Sequence, residues 1–412
     1  MTGSAQPAAR FRSAFRHRSF ALFWIARLGA WLAGQMQTVA VGWQMYELTG
    51  DPLDLGLVGL FQFLPTLILS LVAGHVVDSH DRRRILMAAL LLETAGVGVL
   101  FALTATGTAA PAPIFAVVFV LGIAKAFGGP AHNALISAVV PAEDLPNAVA
   151  WNSTALQTAT IGGPALGGLL YLAGPAVVYG TATVLLGGAA VLVATLRPRR
   201  VELAKRAVSW TSLLAGVAFI RSRPAILGAI SLDMMAVMLG GATALLPVYA
   251  KDILLVGPWG LGLLRSAPAL GALLMAMTLA RWSVDRHAGL HMLGAVAAFG
   301  IATVVFGLST NALLSGVALF VLGAADEVSV FVRQTLIQLS TPDQMRGRVG
   351  AVSGLFIGAS NQLGAFESGA TAAWFGTVPA VVVGGVGAIA VAAFWAWRFP
   401  ELRRIDRLLS IR

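Results

Sequence analysis

The sequence predicts an all-α integral membrane protein, with twelve transmembrane helices in two pseudo-symmetric six-helix halves. Three observations carry the prediction. The 412-residue chain is 58% hydrophobic and only 11% charged, with a mean hydropathy of +0.82, whereas soluble domains carry roughly 25% charged residues. Its apolar residues come in unbroken runs of about 20 or more, the length a helix needs to cross a hydrocarbon core about 30 Å thick. Barrel strands would alternate every second residue instead. Finally, a segment near residue 119 returns near residue 320.

The apolar spans fall at 20–48, 53–77, 84–106, 112–140, 145–173, 175–196, 224–250, 258–282, 288–308, 312–340, 347–374 and 377–399. Tight turn signals separate them, among them "TGDP" at 49, "AGP" at 173, "GPWG" at 257 and "STN" at 309. Assigning loops alternately to two sides puts 23 of the 28 Lys and Arg residues on one side and only Lys251 on the other; Arg27, Lys125, Arg265 and Arg333 lie within spans. By the positive-inside rule both termini are cytoplasmic. The basic N-terminus precedes a run of nearly 30 residues, too long for a signal-peptide core and without a small-residue cleavage site, so it reads as an uncleaved first span.

The expected domains are a cytoplasmic tail at 1–19, a first half at 20–196, a linker at 197–223, a second half at 224–399 and a tail at 400–412. Trp210, Leu213, Leu214, Val217 and Ile220 in the linker share one helical face and suggest an interfacial helix. Cysteine is absent, which removes disulfides and thiol chemistry. The net charge of +10 sits in short Arg clusters at span ends with no basic groove, so nucleic acid is not an expected partner. The N-terminal dozen residues are expected to be disordered.

"FVLGIAKAFGGPAHNALISAVVP" at 119 and "FVLGAADEVSVFVRQTLIQLSTP" at 320 match at a constant offset, pairing Gly122 with Gly323 and Leu135 with Leu336. A similar offset relates Tyr46 to Tyr249 and Pro65 to Pro268. Two parallel six-span halves, each of inverted triplets, are the plan of major facilitator transporters. In this register Lys125 lies opposite Asp326, and His132 opposite Arg333. Asp326 and Arg333 are seven residues apart, on one helical face and about 10 Å along the axis.

A charge at a helix centre in a bilayer costs about 2.5 to 3.5 kcal/mol or more, so intramembrane charges face a bundle interior or cavity. Depth counting places Arg27, Asp233, His132 and Arg333 in the cytoplasmic half, Glu93, Lys125 and Asp326 near the middle, and Arg265 and Glu367 in the outer third. One reading is a midplane cavity. Asp233, Asp326, Glu367 and Glu93 are its proton-binding candidates, and Arg27, Lys125, His132, Arg333 and Gln334 meet an anionic or catecholate-like group. The other is fixed ion pairs, Lys125 with Asp326 and Arg265 with Glu367. In the first span Arg27, Trp31, Gln35 (or Gly34), Thr38 and Gly42 form a polar, aromatic and small-residue stripe that either lines a path or packs on a neighbour; Gln62, before Pro65, is a weaker candidate of the same kind.

"GHVVDSHDRRR" from Gly74 to Arg84 joins the second and third spans. Gly74 suits close helix approach, Asp78 and Asp81 accept from helix ends, and Arg82 and Arg83 anchor to headgroups. A metal site there is rejected, because a tight basic loop explains the residues. "TIGGPALGGLL" at 160 puts Gly163, Pro164 and Gly167 in the fifth span as packing residues. No phosphate-cradling G-x-x-x-x-G-K-[ST] loop exists, so ATP is not the energy source. An intramembrane enzyme would need a nucleophile beside a base, and His132 with Asn133 and Ser137 is a poor set.

The twelve-span plan and the loop with Gly74, Asp78, Arg82 and Arg83 resemble the major facilitator superfamily, although Ser79 departs from the usual basic residue. "LLPVYAKDIL" at 245, "DEVSVFVRQTLIQLSTPDQMRGRV" at 326 and "IGASNQLGAFESG" at 357 are similar to the enterobactin-exporter branch of siderophore and drug efflux proteins. Gln362 stands where many relatives carry an acid. The resemblance implies a secondary transporter with no cofactor, no metal and no catalytic residues, working as a monomer in the inner membrane. Its expected partners are a small molecule, protons and lipid. An importer or lipid flippase on the same scaffold is the alternative.

Overall fold

The structure is a computed structural model and describes residues 13–197, 210–282 and 286–405. The first six long helices are α1 (Arg18–Thr49), α2 (Pro52–Ser79), α3 (Arg82–Ala105), α4 (Pro111–Val139), α5 (Leu145–Tyr171) and α6 (Pro175–Thr195). A shorter helix, α7 (Trp210–Arg221), precedes α8 (Pro224–Leu239), α9 (Gly257–Arg281), α10 (Ala288–Leu308), α11 (Ala312–Ser340), α12 (Asp343–Phe375) and α13 (Thr377–Arg398). Eleven of these coincide with the expected spans, and α8 covers the first part of the seventh. Proline opens α2, α4, α6 and α8, where its missing N–H has no intrahelical partner to lose. Asn311 caps α11 by accepting from the amides of Leu313 and Leu314 at 2.9 and 3.1 Å.

By length and apolarity alone, nine segments among the described residues would cross a bilayer. The three long helices that fall short are α1, α5 and α12, and they are the polar ones. α1 carries Arg27, Gln35, Gln37 and Gln44; α12 carries Asn361, Gln362 and Glu367. Such helices are stable in a membrane only if their polar faces turn away from lipid.

The seventh span was expected as one helix over 224–250, and the structure breaks it. α8 ends at Leu239; a 3₁₀ turn follows at Ala242–Leu245, and a π-helical turn at Tyr249–Ile253. Gly240 and Gly241 weaken the helix at the break, and Pro247 has no N–H for the ladder. Gly241 is held where a Cβ would lie 2.6 Å from the Gly364 carbonyl oxygen of α12. α12 begins at Asp343, four residues before the expected start, with an exposed Asp343–Arg346 pair at 2.6 Å across its first turn.

The chain forms two compact units, residues 1–44 with 61–207, and 45–60 with 208–412. In the first, α3 packs between α4 and α6; in the second, α10 packs between α11 and α13. The internal repeat is also a repeat of packing. A Cβ on Gly122 would lie 2.2 Å from the Gln62 carbonyl oxygen and 3.1 Å from Pro65. Its counterpart Gly323 would meet the Pro268 carbonyl oxygen at 1.9 Å. Each half therefore crosses its second and fourth spans at a glycine, beside a proline inside the second span's helix.

In the linker helix α7, Gly216 and Ile220 are buried and Leu214 is 63% exposed. Gly216 seats this helix on the Arg348 carbonyl of α12, where a Cβ would come within 2.9 Å. The expected disorder of the first dozen residues falls outside the described residues.

Candidate functional site

In the first unit α1, α3, α4 and α6 enclose a cavity of about 290 Å³. Six residues flagged in the sequence line it: Trp31, Gln35 and Thr38 from α1, Glu93 from α3, and Lys125 and His132 from α4. The first-span stripe thus faces a cavity along part of its length. Part of it is also packing, since Gln35 is the side chain that Gly163 of α5 accommodates, a Cβ there falling 2.5 Å from the Gln35 Cβ. The Thr38 hydroxyl donates to the Gly34 carbonyl at 2.8 Å, inside its own helix. Gln37, unremarked in the sequence, also lines the cavity. Gln62 does not; its contribution is the backbone carbonyl against Gly122.

Arg27 lies one turn from Trp31 and is 5% exposed. Its guanidinium sits 4.2 Å from the Trp31 ring and 5.8 Å from Phe23, the i±4 neighbours that a helix places above and below it. One nitrogen, Nη2, donates to the Asn133 amide oxygen of α4 at 3.1 Å. His132 packs edge-on against the same Phe23, 5.8 Å between centroids. Nearer the far end of α1, Gln44 ties three helices together: it donates to Thr104 at 3.1 Å and accepts from the buried Tyr179 hydroxyl at 2.8 Å. Sequence reading missed Gln44, Thr104 and Tyr179, each unremarkable alone.

In the second unit Arg333 of α11 pairs with Asp233 of α8 at 3.3 Å, with side chains only 3% and 6% exposed. Asp233, Asp326, Ser329 and Phe299 line a pocket of about 10 Å³ beside the pair, about the room one water requires. Depth counting had put Asp233 and Arg333 at one level, and that was the signal available for pairing them. Gln334 faces outward and is exposed. Glu367 accepts from Thr371 of its own helix at 2.9 Å, a use of its carboxylate other than the expected partner Arg265.

The loop after α2 is held by its charges. Asp81 caps α3, accepting from the amides of Arg83 and Arg84 at 2.9 and 3.4 Å. Arg82 reaches the Ala134 carbonyl of α4 at 3.3 Å, and Arg83 donates to the Ala194 carbonyl of α6. The motif therefore gathers the ends of α3, α4 and α6. A Cβ on Gly74 would meet nothing within 4 Å among the described residues, so none of them approaches it closely. Gly167 of α5 does admit one, the Met36 Cα lying 2.8 Å from the position of a Cβ.

A second cluster went unseen in the sequence. The hairpin at 45–60 groups with the second unit, where the Tyr46 hydroxyl donates to the Asp252 carboxylate and Lys251 lies 5.2 Å from the Tyr46 ring. Gly56 seats against the backbone of Phe366 at 3.0 Å and Gly369 against the Pro52 carbonyl at 2.8 Å. Tyr46 had stood out only as the repeat partner of Tyr249.

A polar cavity inside a helical half, a buried ion pair in the other and a duplicated six-helix plan are features of a membrane carrier. The model of a transmembrane secretion effector family matches residues 10–410. This chain belongs to that family of the major facilitator superfamily. It is 27% identical to the enterobactin exporter EntS of Citrobacter koseri, over 96% of this chain and 92% of that protein. It is 26% identical to EntS of Shigella boydii over the same shares. Among solved structures, a bacterial homologue of the human lysosomal transporter Spinster, inward-facing and occupied, superposes with a TM-score of 0.75 at 13% identity, covering 97% of this chain and 99% of that one. A D-xylose–proton symporter gives 0.68 at 15% identity, covering 92% and 97%. These two share the fold. The protein is a multi-pass membrane transporter.

Proposed function

We propose that this protein exports a small amphipathic molecule, of siderophore or drug type, by proton-coupled alternating access, with both termini in the cytoplasm. The observation that carries the reading is the cavity of the first unit, which Trp31 lines together with the ionisable residues Glu93, Lys125 and His132. Such a mixture suits a cargo with an apolar body and polar edges. The kinship with enterobactin exporters favours outward transport. Proton coupling is assigned to Asp326 and Asp233, which share one small pocket with the Arg333 pair beside it. A carboxylate that takes a proton loses its hold on a cationic partner, so protonation and release of Arg333 alternate.

If both termini are cytoplasmic, the loops that carry Tyr46, Lys251 and Asp252 fall on the outer side, and their cluster serves as an outer clasp that parts on opening to the outside. The reading is tested by measuring proton release or uptake when enterobactin or ethidium is added to detergent-purified protein, wild type and Asp326→Asn. Ligand-linked proton exchange that disappears in the variant supports it. Binding without any proton change would assign uniport or flippase activity and return Asp326 to a structural role.

A further inference from the structure

A hollow of about 650 Å³ lies in the second unit between α9 and α10. These helices follow one another in the chain, and each packs on α11, which floors the gap between them with Val321, Ala324, Ala325 and Val328. Small side chains keep the gap open: a Cβ on Gly294 of α10 would meet nothing within 4 Å among the described residues. Leu290, Gly294 and Val321 are exposed along it. Apart from two histidines, every lining residue is apolar, so at membrane depth the groove takes lipid chains and not water. The histidines, His287 and His291, stand together at the start of α10. From His287 to Ala298 at the deep end the helix rises about 16 Å, close to half of a hydrocarbon core about 30 Å thick, the depth of one leaflet.

We propose that this groove binds one anionic phospholipid, an acyl chain laid along α11 between α9 and α10 and the phosphate held at the histidine end. The charge there is complementary. Segment 281–291 carries two arginines and two histidines against one aspartate. Arg286 is exposed and directly precedes His287, and Arg281 is exposed at the end of α9. The Nδ1 of His291 donates to the His287 carbonyl at 3.0 Å, which leaves Nε2 for a headgroup. Trp282, 67% exposed beside Arg281, is of the residue type that settles at headgroup level. A zwitterionic headgroup brings its own cation and gains little from such a mouth, whereas an anionic one gains from each arginine. The lipid fills the gap that α9 and α10 leave between them. Its binding goes beyond the export reading and does not depend on it.

The test is native mass spectrometry of the full-length protein, released from dodecyl maltoside after equilibration with equal amounts of dioleoyl phosphatidylglycerol and dioleoyl phosphatidylcholine. Wild type should retain one phosphatidylglycerol with about tenfold or greater preference, and Arg281→Gln/Arg286→Gln should bring the ratio close to one. Gly294→Leu puts a side chain into the groove where there is room for it and replaces a poor helix former. Retention of either phospholipid should then fall about tenfold, while the unfolding midpoint in lipid-free detergent holds or rises. If Gly294→Leu does not elute as a single species, Val321→Phe fills the groove from its floor. Equal retention of the two lipids by wild type, a preference that the arginine variant leaves unchanged, or an adduct that survives the filled groove overturns the proposal. So does displacement of the adduct by millimolar glycerol 3-phosphate, which would make this a site for a free anion. A wild-type dimer that Gly294→Leu dissociates would give the face to a second copy of the chain and overturn it too.

Discussion

Breaking the Asp233–Arg333 pair distinguishes an ion pair that holds the second unit together from two charges that merely lie close. Both side chains are almost fully enclosed and 3.3 Å apart. Replacing Arg333 by Gln leaves a buried carboxylate with no cation beside it, and losses of this kind run to about 3–5 kcal/mol. Asp233→Asn costs less, about 1–3 kcal/mol, because the amide oxygen still accepts from the guanidinium. The double variant Asp233→Asn/Arg333→Gln leaves two neutral groups able to bond each other, and recovers about 2 kcal/mol relative to the sum of the singles. Unfolding midpoints in mixed dodecyl maltoside and SDS micelles, followed by circular dichroism, read all four proteins on one scale. Additivity to within about 0.5 kcal/mol would refute the reasoning, because charges that add independently do not hold each other.

Gly323→Ala places a Cβ 1.9 Å from the Pro268 carbonyl oxygen, whereas Gly74→Ala meets nothing within 4 Å; size-exclusion profiles should show the first lost as a monodisperse species and the second unchanged. Tyr46→Phe removes the hydroxyl that donates to Asp252, a bond to a charged group of about 1.5–3 kcal/mol. Because the chain has no native cysteine, labelling of Leu55→Cys from the outer side reports the clasp directly. It should accelerate about tenfold or more in the Tyr46→Phe background, and an unchanged rate would remove Tyr46 from the gate. Asp144, in the loop after α4, accepts from His17 at 2.8 Å, and that bond foremost holds its carboxyl below the usual carboxylate range. A depressed folded-state value means that the contact stabilises above the ordinary Asp pKa of about 3.9 and is lost as pH falls through the lowered one. Tryptophan fluorescence of the adjoining Trp24 and Trp151 should therefore shift at acid pH in wild type and not in Asp144→Asn.

The spans were legible because hydrocarbon imposes one length and one composition on every helix that crosses it. The internal repeat was legible for a related reason. Gly122 and Gly323 must both admit a carbonyl, from Gln62 and Pro268 respectively, and such positions tolerate little change. The break at Gly240–Gly241 was not read, because a continuous apolar run looks the same whether or not its backbone stays helical. Within the first half, the charges and the α1 stripe converge as their spacing suggested, since a polar face on a membrane helix has few places to go. Partners on different helices were harder. Asp233 with Arg333, Gln44 with Tyr179 and Tyr46 with Asp252 are separated by 100, 135 and 206 positions, and no local periodicity links such residues. Gly74 shows the converse, a motif glycine that no described residue approaches closely.

Gradient-driven accumulation in inside-out proteoliposomes tests the central claim most directly. With an acidic lumen, enterobactin added outside should accumulate only while the pH difference lasts, should leak back when nigericin collapses it, and should not accumulate in Asp326→Asn. Accumulation that is indifferent to the pH difference, or that survives unchanged in Asp326→Asn, would contradict proton-coupled export through these residues.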